Sequence, residues 1–351
     1  MTRVYIALRD RLRCCTVAGD SDSDRPRATE QTTHLEGRQL ECVAVSPGAP
    51  ERVFVGTFED GLFRSTDGGE TFDPLEPHVE TDGGTESGFV SDAVMSLAIS
   101  PHDPSVVYAG TEPSRVYRSR DGGDTWTHLS GLTDLPSEDE WYFPPRPHTH
   151  HVRWLEVDPF DPDRVYVGIE AGALVLRDEA EESWRERPEG SRIDNHSLAT
   201  HPDREGRVYS AAGDGYAQSD DGGETWEHPQ EGLEHRYCWS VVPHPDDPDR
   251  VIVSSASGAS SAHTASQASA YVYRTDGPDA AWERLDDRGI PMGEGVVRAV
   301  FATDDERGDV YAVTNLGLFV SSDFGDSWAA VDLEWWAELE SITPRGLAVV
   351  A

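Results

Sequence analysis

Residues 147–154, PHTHHVRW, put three histidines, an arginine and a tryptophan into eight positions. Imidazoles at that density suit metal ligation or proton transfer, and the Arg153 guanidinium suits a carboxylate, phosphate or sulfate oxygen. His148 and His150 would share a side but fall in a proline-rich loop. A metal set would combine His150 and His151 with His196 and Asp194 from the later DNHS, but the two adjacent histidines diverge on a regular strand, which counts against it. Two further arginines, Arg298 in VVRAVF and Arg345 in TPRGLAV, also stand inside apolar runs. Whether these groups meet depends on the elements that carry them.

Four octapeptides share the pattern S-x-D-x-G-x-T/S-W/F: STDGGETF (65–72), SRDGGDTW (119–126), SDDGGETW (219–226) and SSDFGDSW (321–328). RDEAEESW (177–184) and TDGPDAAW (275–282) are eroded copies. A short β-rich run precedes each copy, as in RVFVGT, VVYAGT, RVYVGI, RVYSAA, RVIVSS and DVYAVT, and RVYIAL (3–8) is a seventh. Pro/Asp turns such as SPHDPSVV stand before most of these runs, and a further apolar run such as MSLAIS stands before the turn. Each unit therefore reads as strand a, turn, strand b, turn, strand c, Asp/Gly loop, and a strand d starting at Trp. Four antiparallel strands recurring roughly every 40 to 60 residues specify a β-propeller blade.

The segment PRGLAVVA (344–351) is a strand a with nothing after it, while RVYIALRDRLRCCTVAG and TEQTTHLEG supply strands b, c and d with no strand a before them. The pattern thus predicts an all-β, seven-bladed propeller in one domain, 1–351, closed by pairing of the N- and C-terminal strands. The composite closing blade takes 1–38 and 343–351, and the other blades lie at about 39–77, 92–132, 151–190, 194–233, 236–290 and 295–336. Residues 20–30 are expected to form a mobile c–d loop. SASGASSAHTASQASA (255–270) would be either a lid over the channel mouth or a disordered excursion.

In the octapeptide the Asp can accept backbone N–H bonds, the Gly permits a left-handed turn, and the Trp or Phe anchors strand d by burying its ring. The spacing does not match an EF-hand and no bidentate Glu follows, so the loop is read as structural rather than calcium-binding. The octapeptide resembles the Asp-box, or BNR repeat, of sialidase-like, sortilin-type and photosystem II assembly factor-like propellers, over nearly the whole chain. HHVRWLEVDPFDPDRVYVGIEAGALVLR, with DNHSLATHPD and HRYCWSVVPHPDDPD after it, is similar to a group of BNR-repeat proteins without an established activity. The sialidase branch implies three arginines on a substrate carboxylate, a Tyr nucleophile assisted by Glu, and an Asp acid/base. Arg153, Arg298, Arg345, Tyr237 and Glu170 or Asp214 would take those roles here. The Arg-Ile-Pro segment of sialidases is absent, and those enzymes are typically six-bladed and secreted, so their site does not transfer residue by residue. The sortilin-type and assembly-factor-like branches imply a binding module instead.

In a propeller, strand a lines the central channel, the d–a and b–c loops share one face, and the c–d loops share the other. Aligning strand a on its Pro turn gives Glu41, Met95, Arg153, His196, Trp239, Arg298 and Arg345 at the channel mouth. Two positions later come Val43, Leu97, Leu155, Leu198, Val241, Val300 and Leu347, a pure core column. No packing requirement demands the charges of the first column. Its polar and aromatic members, with His150, His151 and Tyr237 just upstream, form the candidate ligand-binding set. Without a ligand, Arg153 would pair with Glu170 and Arg298 with Glu41. The expected function is binding of a small anionic or polar ligand or a peptide at the mouth, with a protein contact possible on that face. The alternative is a glycoside hydrolase or lyase acting on an anionic sugar through Tyr237, Glu170 and Asp214. No cofactor is expected, and His150, His151, His196 and Asp194 are the alternative metal set.

The formal charge is −37, from 66 acidic and 29 basic residues, with no lysine. Carboxylates spread along the whole chain suit a halophilic, acidic protein in a salt-rich cytoplasm, where self-repulsion is screened. Such a surface excludes nucleic acid as a partner, since phosphates need a basic face. No apolar run approaches the roughly 20 residues of a membrane span. Cys14, Cys15, Cys42 and Cys238 lack metal-ligand spacing and read as reduced thiols.

Overall fold

The computed structural model describes residues 1–18, 25–81, 84–304 and 307–351. Seven antiparallel blades surround a central channel, and their innermost strands touch one another in a closed ring. Those strands a are Leu40–Ser46, Val94–Ile99, Val152–Val157, Asn195–Thr200, Tyr237–His244, Val300–Asp304 and Gly346–Val350. Gly346–Val350 pairs with Thr2–Leu8 from Arg3↔Val350 to Ala7↔Gly346, so the two ends of the chain share the closing blade. Blades follow the four-stranded plan, but the outermost strand of the fourth is reduced to the bridge Gln218↔Glu227. Two additional strands, His78–Thr81 and Gly84–Ser87, pair antiparallel and extend the second blade beyond Thr125–His128.

Strand periodicity decides how blades stack. Along Thr2–Leu8, Val4, Ile6 and Leu8 pack with Val300, Val313 and Leu318 of the sixth blade. Tyr5 and Ala7, pointing the other way, pack with Val53, Val55 and Phe63 of the first blade. Each strand b is therefore apolar on both faces, as an element buried between two neighbours must be.

The Asp/Gly loops behave as their residues dictate. Asp67 Oδ1 accepts the N–H groups of Glu70 and Thr71 at 3.0 Å each, and Oδ2 accepts the Thr71 hydroxyl at 2.6 Å. Asp121, Asp221 and Asp323 hold Thr125, Thr225 and Ser327 in the same way. Gly69 has φ +89°, and a Cβ there would lie 2.6 Å from the Tyr5 ring. That close approach lets the Tyr5 hydroxyl of the preceding blade donate to Gly68 O at 2.8 Å. Arg64 donates to Gly122 O and Arg274 to Phe324 O, so the loops also fasten successive blades together. Trp126, Trp226 and Trp328 close the loops as buried rings.

Two expectations change. Residues 27–30 belong to strand Arg27–His34, whose edge is held by Ala28 N–H to Asp332 O and Asp332 N–H to Pro26 O. The rest of the expected mobile loop, 20–24, lies outside the described residues apart from Arg25 and Pro26 after it. The 255–270 segment is not disordered: Ala259–His263 is a helical turn, Ala265–Gln267 a 3-10 turn, and Ala262 is fully buried.

Removing residues 346–351 deletes the strand that closes the ring. Thermal unfolding followed by circular dichroism should show the midpoint fall by roughly 10 °C or more. A second expectation concerns Glu156, which lies in the channel wall and accepts the Thr200 hydroxyl at 2.9 Å. Burial raises its pKa to about 7. The folded state then holds a proton that the unfolded chain releases above pH ~4.5, so stability is lost as pH climbs towards 7. Glu156→Gln should therefore match wild type near pH 4.5 and exceed it by on the order of 2 kcal/mol above pH 7 in denaturant titrations.

Candidate functional site

The inner strands deliver Glu41, Met95, Arg153, Trp239 and Arg345 to the wall of one cavity of about 760 Å³ at the channel mouth. Between the mouth column and the core column sits a set of mostly small residues. Among them, Ser96 donates to Val152 O, while Ser197 and Ser240 accept the N–H groups of Val241 and Phe301. These bonds draw neighbouring inner strands together and fix the height at which the mouth residues emerge. Loops, the start of the fifth strand a and the 259–263 helical turn complete the wall with Arg9, Phe143, Arg146, His151, Glu170, Asp194, Tyr237, His263 and Ile342.

The insertion after the fifth strand b lies over this cavity. Arg298 N–H donates to Ala262 O at 3.0 Å, and the Thr343 hydroxyl donates to His263 O at 2.7 Å. The His263 ring stands edge-on to Trp239 at 4.4 Å. Burial, followed by the charge of Arg298, pushes the His263 pKa down to about 2. Burial, followed by Glu170 and Asp194, pushes the Tyr237 hydroxyl up. The neutral imidazole Nε2 and the protonated Tyr237 hydroxyl therefore share an uncharged hydrogen bond of 3.2 Å.

Beside them runs a chain of charges. Arg146 Nε donates to Glu112 Oε1 at 2.7 Å, and Glu112 Oε2 lies 3.4 Å from His151 Nδ1. His151 Nε2 donates to Glu170 Oε2 at 2.9 Å, and that oxygen also lies 3.8 Å from Arg153 Nε. Burial opposes charge on His151, but the carboxylates on either side outweigh it and raise its pKa. Burial likewise works against Glu170 and Glu112, yet His151 and the arginines hold both below the usual carboxylate range. Asp194 moves the other way: burial and the Glu170 charge raise it, against the opposing pull of His196.

The three arginines of the mouth column occupy different positions. Arg153 lies over the Trp239 ring at 4.8 Å from its centroid and faces Glu170. Arg298 lies over the same ring at 4.1 Å, is fully buried, and donates to Pro344 O at 2.6 Å. Burial, then the charges of Arg345 and Arg153, push the Arg298 pKa well down. Arg345 is partly exposed in the cavity, 3.7 Å from Glu41. Glu41 thus neighbours Arg345, correcting the expected Arg298–Glu41 pair: Arg298 turns behind Trp239 to reach a backbone carbonyl.

Of the other candidates, His196 is buried behind the wall, with Nε2 3.7 Å from Asp194 Oδ1 and 3.9 Å from Glu170 Oε1. His150 turns away to Glu138 at 3.1 Å and packs edge-on to Trp141. Asp214 stands one layer out, where it accepts the Asp194 N–H at 3.3 Å and faces Arg192. Arg9, Arg146, Phe143 and His263 were absent from the sequence-derived set. Arg9 had a signal: it occupies the b–c turn of the closing blade, equivalent to Glu170 in the third. The others sit on long loops outside the repeat and had none. All four cysteines are free, and burial raises each thiol pKa to about 11 or 12.

No protein-family model matches the chain. The oligoxyloglucan-reducing end-specific xyloglucanase of Emericella nidulans is 28% identical over 156 residues, covering 42% of this chain and 18% of that protein. The chain therefore matches less than a fifth of that curated relative's length. Among solved structures, an ancestral GH74 enzyme aligns with 81% of this chain and 36% of its own at TM-score 0.61 and 13% identity. The GH74 xyloglucanase of Xanthomonas campestris aligns with 99% of this chain and 53% of its own at TM-score 0.59 and 15% identity. YCF48 bound to a D1 peptide aligns with 86% of this chain and 83% of its own at TM-score 0.55 and 16% identity. What the chain shares with these neighbours is the β-propeller fold.

Proposed function

We propose that this Asp-box-type propeller is a ligand-binding module whose channel mouth seats a polar, carboxylate-bearing ligand of short-peptide or oligosaccharide size. The observation that carries the reading is the inversion of charge at the cavity. On a chain of net charge −37, Arg9, Arg146, Arg153 and Arg345 converge on one cavity of about 760 Å³. Arg9 forms no ion pair among the described residues, and Arg345 meets Glu41 only at 3.7 Å. Their guanidinium forks are thus available to a ligand carboxylate. Phe143, Tyr237 and Trp239 in the same wall offer flat surfaces to a peptide side chain or a sugar ring. A cavity of this volume is of the size that encloses most of a small ligand, roughly 300–1,000 Å³. The dense surface carboxylates fit work in concentrated salt, where contacts inside a semi-enclosed cavity are screened less than those on an open surface.

A second reading, hydrolysis of an anionic sugar, has one specific support. Oxygens of Glu170 and Asp194 come within 4.8 Å of each other on the cavity wall. Paired carboxylates at about 5 Å are the arrangement of retaining glycosidases.

Calorimetric titration in molar NaCl with peptides carrying free C-terminal carboxylates, their amidated forms, and trigalacturonate separates the possibilities. Binding of a free carboxylate, weakened about 10-fold or more by Arg345→Ala, supports the proposal. Equal affinity for amidated peptides, or no binding by any probe, overturns it. Reducing-end release from trigalacturonate that is abolished in Glu170→Gln would favour the hydrolase reading instead.

A further inference from the structure

We propose that Glu170, Asp194 and His196 form a binding site for one divalent transition-metal ion of the zinc–cobalt class, opening into the mouth cavity. This goes beyond the carboxylate-binding reading and does not depend on it.

The surroundings of His196 fix its tautomer. Its Nδ1 lies 2.6 Å from the carbonyl oxygen of Cys238. A carbonyl oxygen only accepts, so Nδ1 carries the proton, and in the neutral ring the lone pair sits on Nε2. His196 is 1% exposed, and Nε2 has no hydrogen-bond partner among the described residues. It points at two carboxylate oxygens, Asp194 Oδ1 at 3.7 Å and Glu170 Oε1 at 3.9 Å, both beyond hydrogen-bond reach. A buried nitrogen facing two oxygens across a gap of that width is better matched to an intervening ion than to a direct bond.

The separations fit. One ligand atom from each residue can be chosen so that all three lie within 4.8 Å of one another. Atoms ligating a tetrahedral zinc at about 2 Å are roughly 3.3 Å apart, so a contraction of a few tenths of an ångström about the ion brings the histidine into range of each carboxylate. The donor set of one imidazole and two carboxylates suits Zn²⁺, Co²⁺ or Mn²⁺ rather than a soft ion.

The surroundings already orient the ligands. Trp239 and Tyr237 flank the His196 ring at 4.4 and 4.8 Å between centroids. Asp194 Oδ1 accepts the Ala171 N–H at 2.8 Å. Glu170 Oε2 is taken by His151 at 2.9 Å and approached by Arg153 at 3.8 Å, which leaves Oε1 to face His196. Such outer contacts are the means by which metal sites set ligand direction. Two anionic ligands balance the charge of a divalent ion. Since Glu170 and Asp194 line the cavity, the remaining coordination positions open towards it.

The test titrates chelator-treated protein with Co²⁺ in molar NaCl, which suppresses loose binding to the acidic surface, and follows visible d–d absorption. The expected result is saturation at about one equivalent, with Zn²⁺ displacing Co²⁺. Asp194→Asn and Glu170→Gln should each weaken binding by more than 10-fold, while His150→Ala leaves it unchanged. Unfolding midpoints in chelator identify any variant that fails to fold, and the other variant then gives the answer. No saturable absorption in wild type overturns the proposal, as does equal affinity in Asp194→Asn and Glu170→Gln. Because Co²⁺ is titrated alone, this result is independent of whether any peptide or sugar binds.

Discussion

The structure depends on closure of the ring. A blade whose strands are apolar on both faces is stable only when a neighbour covers each face, so an open array would leave two faces in water. Hydrogen bonding of Gly346–Val350 to Thr2–Leu8 removes that exposed edge and brings both chain ends into one sheet. Once the ring is closed, the seven inner strands have little freedom in height or tilt. Serines 96, 197 and 240 fasten them to their neighbours, and residues distant in sequence meet at the channel mouth. Arg153, Trp239 and Arg298 come from three blades, yet both guanidinium groups lie against one indole ring.

Charge distribution follows from the same geometry. At the channel mouth, positive groups gather around buried carboxylates. His151 lies between Glu112 and Glu170, while Arg146 and Arg153 neutralise the far ends of that chain. Removing one member would strand another as an unpaired buried charge, which costs far more than a surface ion pair contributes. The mouth is thus rigid by electrostatics as well as by strand packing. Arg9 and Arg345 at the mouth, and His196 Nε2 behind its wall, keep unused hydrogen-bonding capacity.

Much of the architecture was legible because repetition makes it so. The octapeptide loops, the strand b runs and the orphan strand a at the C-terminal end gave blade number and closure, since each rests on local chemistry repeated in sequence. Of the aligned strand a column, Glu41, Met95, Arg153, Trp239 and Arg345 line the cavity, whereas His196 and Arg298 lie behind its wall. Details that depend on side-chain direction were not legible. Arg298 occupies the mouth column but turns behind Trp239, because a backbone carbonyl at Pro344 lies within its reach. Glu41 consequently faces Arg345. His150 and His151 diverge as adjacent strand-entry residues should, but only the fold shows that His151 turns inward to two glutamates. The Ser/Ala-rich insertion has the composition of a loose loop, yet its backbone is ordered by Arg298 and Thr343, which lie far away in sequence.

We assign ligand binding to the channel mouth and a structural role to the Asp/Gly loops on the opposite face. Amide hydrogen exchange, measured by mass spectrometry with and without the tightest-binding carboxylate probe, tests that division directly. That division predicts added protection in residues 143–154, 259–264 and 341–346, with no change in 67–71, 121–125 and 221–225. Protection confined to the Asp/Gly loops would contradict it.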